Sequence, residues 1–143
     1  MASQKELDSV YMATALQFAK LSKAKRAKVG SVLVTPIGIL VPGVNGLPKA
    51  LGNELEYEVD GKLVTKPSVI HSEQACLNKA AKMGVSIDDS TLYVTLSPCQ
   101  HCAANMIASG ITRVVFLELY RDNTGLQLLQ QAGILVEQIN LED

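Results

Sequence analysis

The chain has 143 residues, 48 % of them hydrophobic and 19 % charged, and a net charge of −1. That balance describes one compact domain (residues 1–143) with an aliphatic core; it excludes a disordered chain and gives no global electrostatic reason to grip a nucleic-acid duplex. The most apolar stretch, residues 29–44, is interrupted by Pro36, Gly38, Pro42 and Gly43, which excludes a membrane span, and no apolar signal core follows Met1.

Ser3-Gln4-Lys5-Glu6 has capping-box spacing, so a helix should follow. Val10, Tyr11, Met12, Ala13, Ala15, Leu16, Phe18, Ala19 and Leu21 are apolar around much of its circumference and predict a heavily buried helix. Five cations come next: Lys20, Lys23, Lys25, Arg26 and Lys28. They read either as a solvated loop at a helix C-terminus or as an anion site for a phosphate. Residues 29–35 and 39–44 predict two strands joined by the turn Pro36-Ile37-Gly38. Asn45-Gly46 is by itself a turn signal.

Residues 49–68 are polar and without clear periodicity. A small hairpin around Asp60-Gly61, using residues 56–59 and 62–64, fits the pattern; so does an insertion or a disordered segment. Ser72 to Met83 then predicts a helix closed by Gly84, with Cys76 as a small buried packing residue. Thr91 to Leu96 is β-branched and aromatic, hence a strand. Pro98 suits the start of the next helix, which runs to Gly110. Arg113 to Leu119 predicts a strand, Leu126 to Ala132 a helix, and Ile134 to Ile139 a last strand. This order gives a three-layer α/β/α domain with a mixed five-stranded sheet.

Chemistry concentrates in two stretches, His71-Ser72-Glu73 and Pro98-Cys99-Gln100-His101-Cys102. Three cysteines with one C-x-x-C pair make a poor disulfide framework and a better metal site. One imidazole and two thiols fill three corners of a zinc tetrahedron and leave the fourth to water, as catalytic zinc requires. Glu73, two residues from His71, is placed to handle protons there. A helix N-terminus also favours anionic sulfur, and a right-handed crossover through the intervening strand lets two helix ends face each other. A structural zinc knuckle or a redox C-x-x-C is the alternative, but a closed zinc site needs a fourth protein ligand, and His101, inside the C-x-x-C loop, is awkward for that and reads as a rim residue.

At these residues the chain resembles the zinc-dependent cytidine deaminase superfamily, and within it the deoxycytidylate (dCMP) deaminases of the bacteriophage type. Residues 22–30, the Gly43-Val44-Asn45-Gly46-Leu47-Pro48 segment and residues 90–120 carry the resemblance, which covers nearly the whole chain. It implies hydrolysis of dCMP to dUMP and ammonia, supplying dUMP for thymidylate synthesis, on one Zn2+ per chain held by His71, Cys99 and Cys102. It further implies that Glu73 is the general acid/base, that Asn45 binds the deoxyribose hydroxyl, that Arg26 and Tyr120 lie by the phosphate, and that the Ser97 backbone faces the leaving amine. Family members are typically homohexamers, activated by dCTP and inhibited by dTTP at a second site. That site would fall near Lys23, Gly43, Val44 and Gly46, with Mg2+ accompanying the triphosphate. The usual H-A-E is H-S-E here, Arg26 replaces a short polar residue, and the cysteines that give some phage members a second zinc are missing from residues 50–58.

A single-strand or tRNA base editor would use the same metal but needs a basic groove and stacking aromatics, which this composition does not provide. A non-catalytic zinc protein of the same fold has no use for Glu73. The expected setting is the cytoplasm (a host cell's, for a viral protein), where thiols stay reduced, with no nucleic-acid or membrane partner.

Overall fold

Ser3 opens the first helix as its spacing predicts: Ser3 Oγ accepts from the Glu6 N–H at 3.1 Å, and Glu6 Oε1 accepts from the Ser3 N–H at 2.9 Å. The computed structural model describes residues 1–141. In chain order it contains α1 (Gln4–Ala19), β1 (Gly30–Val34), β2 (Leu40–Val44), a short 3-10 turn (Lys49–Leu51), β3 (Glu56–Val59), β4 (Lys62–Thr65), α2 (Ser72–Met83), β5 (Thr91–Leu96), α3 (Gln100–Ala108), β6 (Arg113–Glu118), α4 (Thr124–Gln131) and β7 (Leu135–Gln138).

The main sheet runs β2-β1-β5-β6-β7. The β2–β1 and β1–β5 pairs are antiparallel, whereas β5–β6 and β6–β7 are parallel, so the expected mixed five-stranded sheet is present. Strand alternation sorts the core into two layers. Val32, Tyr93 and Val115 point to one face and pack with Met12 and Ala15 of α1. Leu33, Leu92, Val94, Val114 and Phe116 point to the other, against α2, α3 and α4. Both faces are covered, which is why the central strands carry near-continuous apolar runs.

The expectation of a heavily buried α1 is not met. Its buried residues are Asp8, Met12, Ala15 and Ala19, one stripe at helical spacing, and Val10 is 60 % exposed. The helix lies alone on its face of the sheet and therefore buries one side only. The buried aspartate has partners: Arg113 donates Nη1 to Asp8 Oδ1 at 2.9 Å and Nη2 to Oδ2 at 2.7 Å, and the Tyr93 hydroxyl also donates to Oδ1. Glu137 Oε1 accepts from Arg113 Nε at 3.0 Å. The network ties α1 to β5, β6 and β7 on the face away from α2 and α3.

Two glycines seat the helices that matter for function. A Cβ at Gly43 of β2 would lie 2.1 Å from the Ser72 carbonyl oxygen and 2.7 Å from Cys76 Sγ, so the bare backbone lets α2 lie directly on β2. A Cβ at Gly125 of α4 would lie 2.1 Å from the Pro98 carbonyl oxygen, so α4 presses on the turn that carries Cys99. Of the alternatives for residues 49–68, the small hairpin is the one observed. Asp60 (φ 51°) and Gly61 (φ 78°) both take positive φ, as a two-residue type I′ turn demands.

Candidate active site

His71 is the N-cap of α2 and Cys99 the N-cap of α3, so both lie where backbone N–H groups point out of a helix end. Pro98, read from sequence as the start of α3, stands one residue before its N-cap. The helix begins later because Cys99 keeps an extended backbone (φ −74°, ψ 170°), which turns its side chain toward α2.

His71 Nδ1 lies 3.3 Å from Cys102 Sγ and 3.5 Å from Cys99 Sγ, and the three donor atoms fall within 4.8 Å of one another. A zinc tetrahedron with ordinary Zn–S and Zn–N bonds has S···N edges of about 3.5 Å. The donor set therefore fits zinc in spacing and in chemistry.

The charges agree. Hydrogen bonding from Cys102, then from His71, holds the Cys99 thiol down at about 3, and the same Cys99–Cys102 hydrogen bond, with burial, pushes Cys102 up. His71 is raised, chiefly by its bond to Cys99. Metal ligation takes thiolate and neutral imidazole, so loading a cation must release the protons these groups carry.

Glu73 sits in the first turn of α2, 4 % exposed. Burial raises its carboxyl above the usual carboxylate range, opposed by its own N–H and by Ser72, whose hydroxyl donates to Glu73 Oε1 at 3.0 Å. The serine of H-S-E thus does more than fill the place of an alanine: it grips one carboxylate oxygen. A carboxyl kept in this state beside a metal site can take and return protons.

Above this floor opens a pocket of about 350 Å3 whose lining includes His71, Glu73 and Cys99. Arg26, Asn45, Ser97 and Tyr120, all singled out from sequence, line it too. Asn45 is already engaged: its Oδ1 accepts from the Val29 N–H at 2.9 Å and its Nδ2 donates to the Ala27 carbonyl at 2.8 Å, leaving a second Nδ2 hydrogen. Ser97 Oγ accepts from the Tyr120 N–H at 2.6 Å, and the Ser97 N–H donates to Glu118 O. Lys23, Gly43, Val44 and Gly46 do not line the pocket; Gly43 is buried beneath α2. His101, read from sequence as a rim residue, is exposed at the surface and does not line the pocket.

Sequence reasoning missed three lining residues with polar or charged side chains. Arg121 places its guanidinium carbon 5.8 Å from the centre of the Tyr120 ring and adds a second cation to the rim. Glu56 and Thr65 come from the hairpin. They were within reach: a two-residue turn at Asp60-Gly61 pairs Glu56 with Thr65 by simple counting.

A family model described as "Cytidine and deoxycytidylate deaminase zinc-binding region" matches residues 5–118. The chain is 32 % identical over 140 residues to a human deoxycytidylate deaminase, covering 90 % of this chain and 77 % of that protein. It is 29 % identical over 143 residues to the deoxycytidylate deaminase of Saccharomyces cerevisiae, covering 95 % of this chain but only 46 % of the yeast protein. Among solved structures, the dCMP deaminase of cyanophage S-TIM5 in complex with dCMP and dUMP superposes with a TM-score of 0.88 at 38 % identity, over 96 % of this chain and 100 % of the phage chain.

Proposed function

This chain belongs to the cytidine and deoxycytidylate deaminase zinc-binding family, and from that premise we propose that it hydrolyses dCMP to dUMP and ammonia. The observation that carries the reading is the buried Glu73 carboxyl in the same pocket as His71 and Cys99, which form one donor cluster with Cys102, beneath a rim bearing Arg26 and Arg121.

Zinc on those three donors supplies the Lewis acidity that makes water nucleophilic near neutral pH. Glu73 takes the proton from the attacking water and delivers it to ring N3 as the oxygen bonds to cytosine C4. It then takes the remaining proton from the C4 hydroxyl and passes it to the exocyclic nitrogen; the C4–N bond breaks to release ammonia, and the C4 oxygen is left as the uracil carbonyl. The Ser97 carbonyl accepts a hydrogen bond from the departing amine. The free Nδ2 hydrogen of Asn45 meets the sugar hydroxyl, and Arg26 with Tyr120 faces the 5′-phosphate, where a guanidinium offers two parallel donors. The product dUMP is a precursor of thymidylate.

The same reading includes activation by dCTP and inhibition by dTTP at a separate site around Lys23, Gly43, Val44 and Gly46, with Mg2+ beside the triphosphate. It also includes a homohexamer in the cytoplasm. None of those four residues lines the pocket, so an effector held by them would not compete for the substrate's place. No helix among the described residues is long and apolar enough to cross a membrane.

The deciding experiment is ammonia release from zinc-loaded protein with dCMP and deoxycytidine side by side, each with and without dCTP. A strong preference for dCMP is expected. Equal rates, or preference for the nucleoside, overturn the choice of substrate and leave the deamination chemistry standing; no release from either overturns both.

A further inference from the structure

The β3–β4 hairpin forms its own two-stranded sheet, and the reaction above gives it no part. It nonetheless holds the loop before β1 at two points. Glu56 Oε2 accepts from the backbone N–H of Lys25 at 2.8 Å and of Arg26 at 3.0 Å. Two successive N–H groups converging on one oxygen make an anion-binding concavity, and the anion here is a side chain of the protein itself. The Arg26 N–H, more than any other neighbour, keeps the Glu56 carboxyl below the usual carboxylate range, so it is ionised at neutral pH.

Directly across the hairpin stands Thr65, the register partner of Glu56. Its Oγ1 accepts from Arg26 Nη1 at 3.2 Å. One residue is therefore gripped at both ends, its backbone by Glu56 and its guanidinium by Thr65, from two cross-strand neighbours on one face of the hairpin. The grip is itself anchored. Leu55, next to Glu56, is 2 % exposed, and its carbonyl accepts from the Lys66 N–H, next to Thr65, at 2.8 Å. Arg26, Glu56 and Thr65 all line the pocket.

A carboxylate at the lip of a phosphate pocket repels the substrate unless it has another task. Here its charge is engaged by the two N–H groups, which would otherwise themselves cradle a phosphate. Anion recognition at this lip then falls on the guanidinium. An exposed arginine is rich in rotamers, and ordering it only on binding costs affinity; holding it beforehand removes much of that cost.

We propose that Glu56 and Thr65 are positioning residues that hold Arg26 ready for the substrate's 5′-phosphate, so that the β3–β4 hairpin sets the preference for a nucleotide over a nucleoside. This role rests on the dCMP reading above. It gives the hairpin a function at a distance from the reacting atoms.

The test is steady-state kinetics of the zinc-loaded full chain on dCMP and on deoxycytidine, for wild type, Glu56→Ala, Glu56→Gln and Thr65→Val. Glu56→Ala should raise KM for dCMP about tenfold, as expected for a misplaced binding group, with kcat and deoxycytidine kcat/KM within about twofold of wild type. Glu56→Gln keeps an acceptor oxygen and should recover most of the loss. Thr65→Val should raise KM for dCMP a few-fold. An unchanged ratio of dCMP to deoxycytidine activity in Glu56→Ala, an equal fall on both substrates, or a lowered KM for dCMP would each overturn the proposal; the last would mean that Glu56 only repels phosphate. Wild-type protein that does not prefer dCMP overturns the substrate reading first, and this role with it.

Discussion

The floor and the rim of the pocket are built by opposite means. The floor is carried by α2, laid on β2 through the bare backbone of Gly43, and by α3, whose leading turn meets α4 at Gly125; Cys102 and Glu73 are buried. The rim is made of the basic loop, the hairpin and the residues after β6, and it is held by polar contacts between exposed or half-buried side chains. Reaction chemistry thus rests on parts that cannot shift without disturbing the core. Discrimination rests on parts that can be altered one hydrogen bond at a time.

Changes on the floor should therefore cost turnover or metal, and changes on the rim should cost selectivity. The largest effect is expected from Glu73→Gln: zinc content by elemental analysis unchanged, and dCMP turnover down on the order of 10³-fold. Retained activity in that variant would break the floor's claim to the chemistry.

Next comes Gly125→Ala, which touches no donor atom but pushes backbone against backbone at Pro98. Zinc affinity in a competition assay with a chromogenic chelator should fall about 10- to 100-fold, the range for lost outer support of a metal ligand. Unaltered affinity would mean that the α4 contact is not what holds Cys99.

The Asp8–Arg113 pair, on the far face of the sheet, is a control on both regions. Asp8→Asn should lower stability by about 2 kcal/mol in urea unfolding, with kinetics at neutral pH unchanged. Burial raises the Asp8 carboxyl, but its bonds to Arg113, Tyr93 and Gln4 and the Arg113 charge outweigh this, and the net shift is downward. A carboxyl lowered by folding contributes stability that is fully present above its unfolded pKa and is lost as pH falls through the folded one. Wild type should therefore lose this contribution below about pH 4, and Asp8→Asn should show a flatter acid limb.

Arg26→Ala should raise KM for dCMP about tenfold or more while sparing deoxycytidine, sharpening the rim's part. The smallest effect is expected from Ser72→Ala, which removes one hydrogen bond to Glu73: a fall of a few-fold in kcat with zinc unchanged.

Much of this arrangement is legible in the residues themselves. The capping box at Ser3, the span Ser72–Met83, the strand Thr91–Leu96 and the clustering of His71, Cys99 and Cys102 need only local pattern or ligand chemistry, and the structure has each of them. The burial of α1 was misjudged because apolar residues around a helix do not reveal how many neighbours it has. A buried Asp8 cannot be foreseen without Arg113, which lies more than a hundred residues away. Arg121 was passed over because, in sequence, it is simply a charged residue after a tyrosine. Glu56 and Thr65 were obscured by the weak periodicity around them, although the Asp60-Gly61 turn fixes their register. Their grip on Arg26 is a tertiary contact that no local rule supplies.

The third cysteine gives the molecule a built-in counter. Cys76 is 0 % exposed, its sulfur contacts Val41 O at 3.1 Å and Ser31 Oγ at 3.2 Å, and burial pushes its thiol up to about 11. Cys99, by contrast, is half-buried and ionised without metal. A thiol-specific alkylating label applied to the folded protein should therefore ignore Cys76 and react only where the metal is missing. The labelled fraction in a mass spectrum would read the share of molecules lacking zinc, with no engineered reporter.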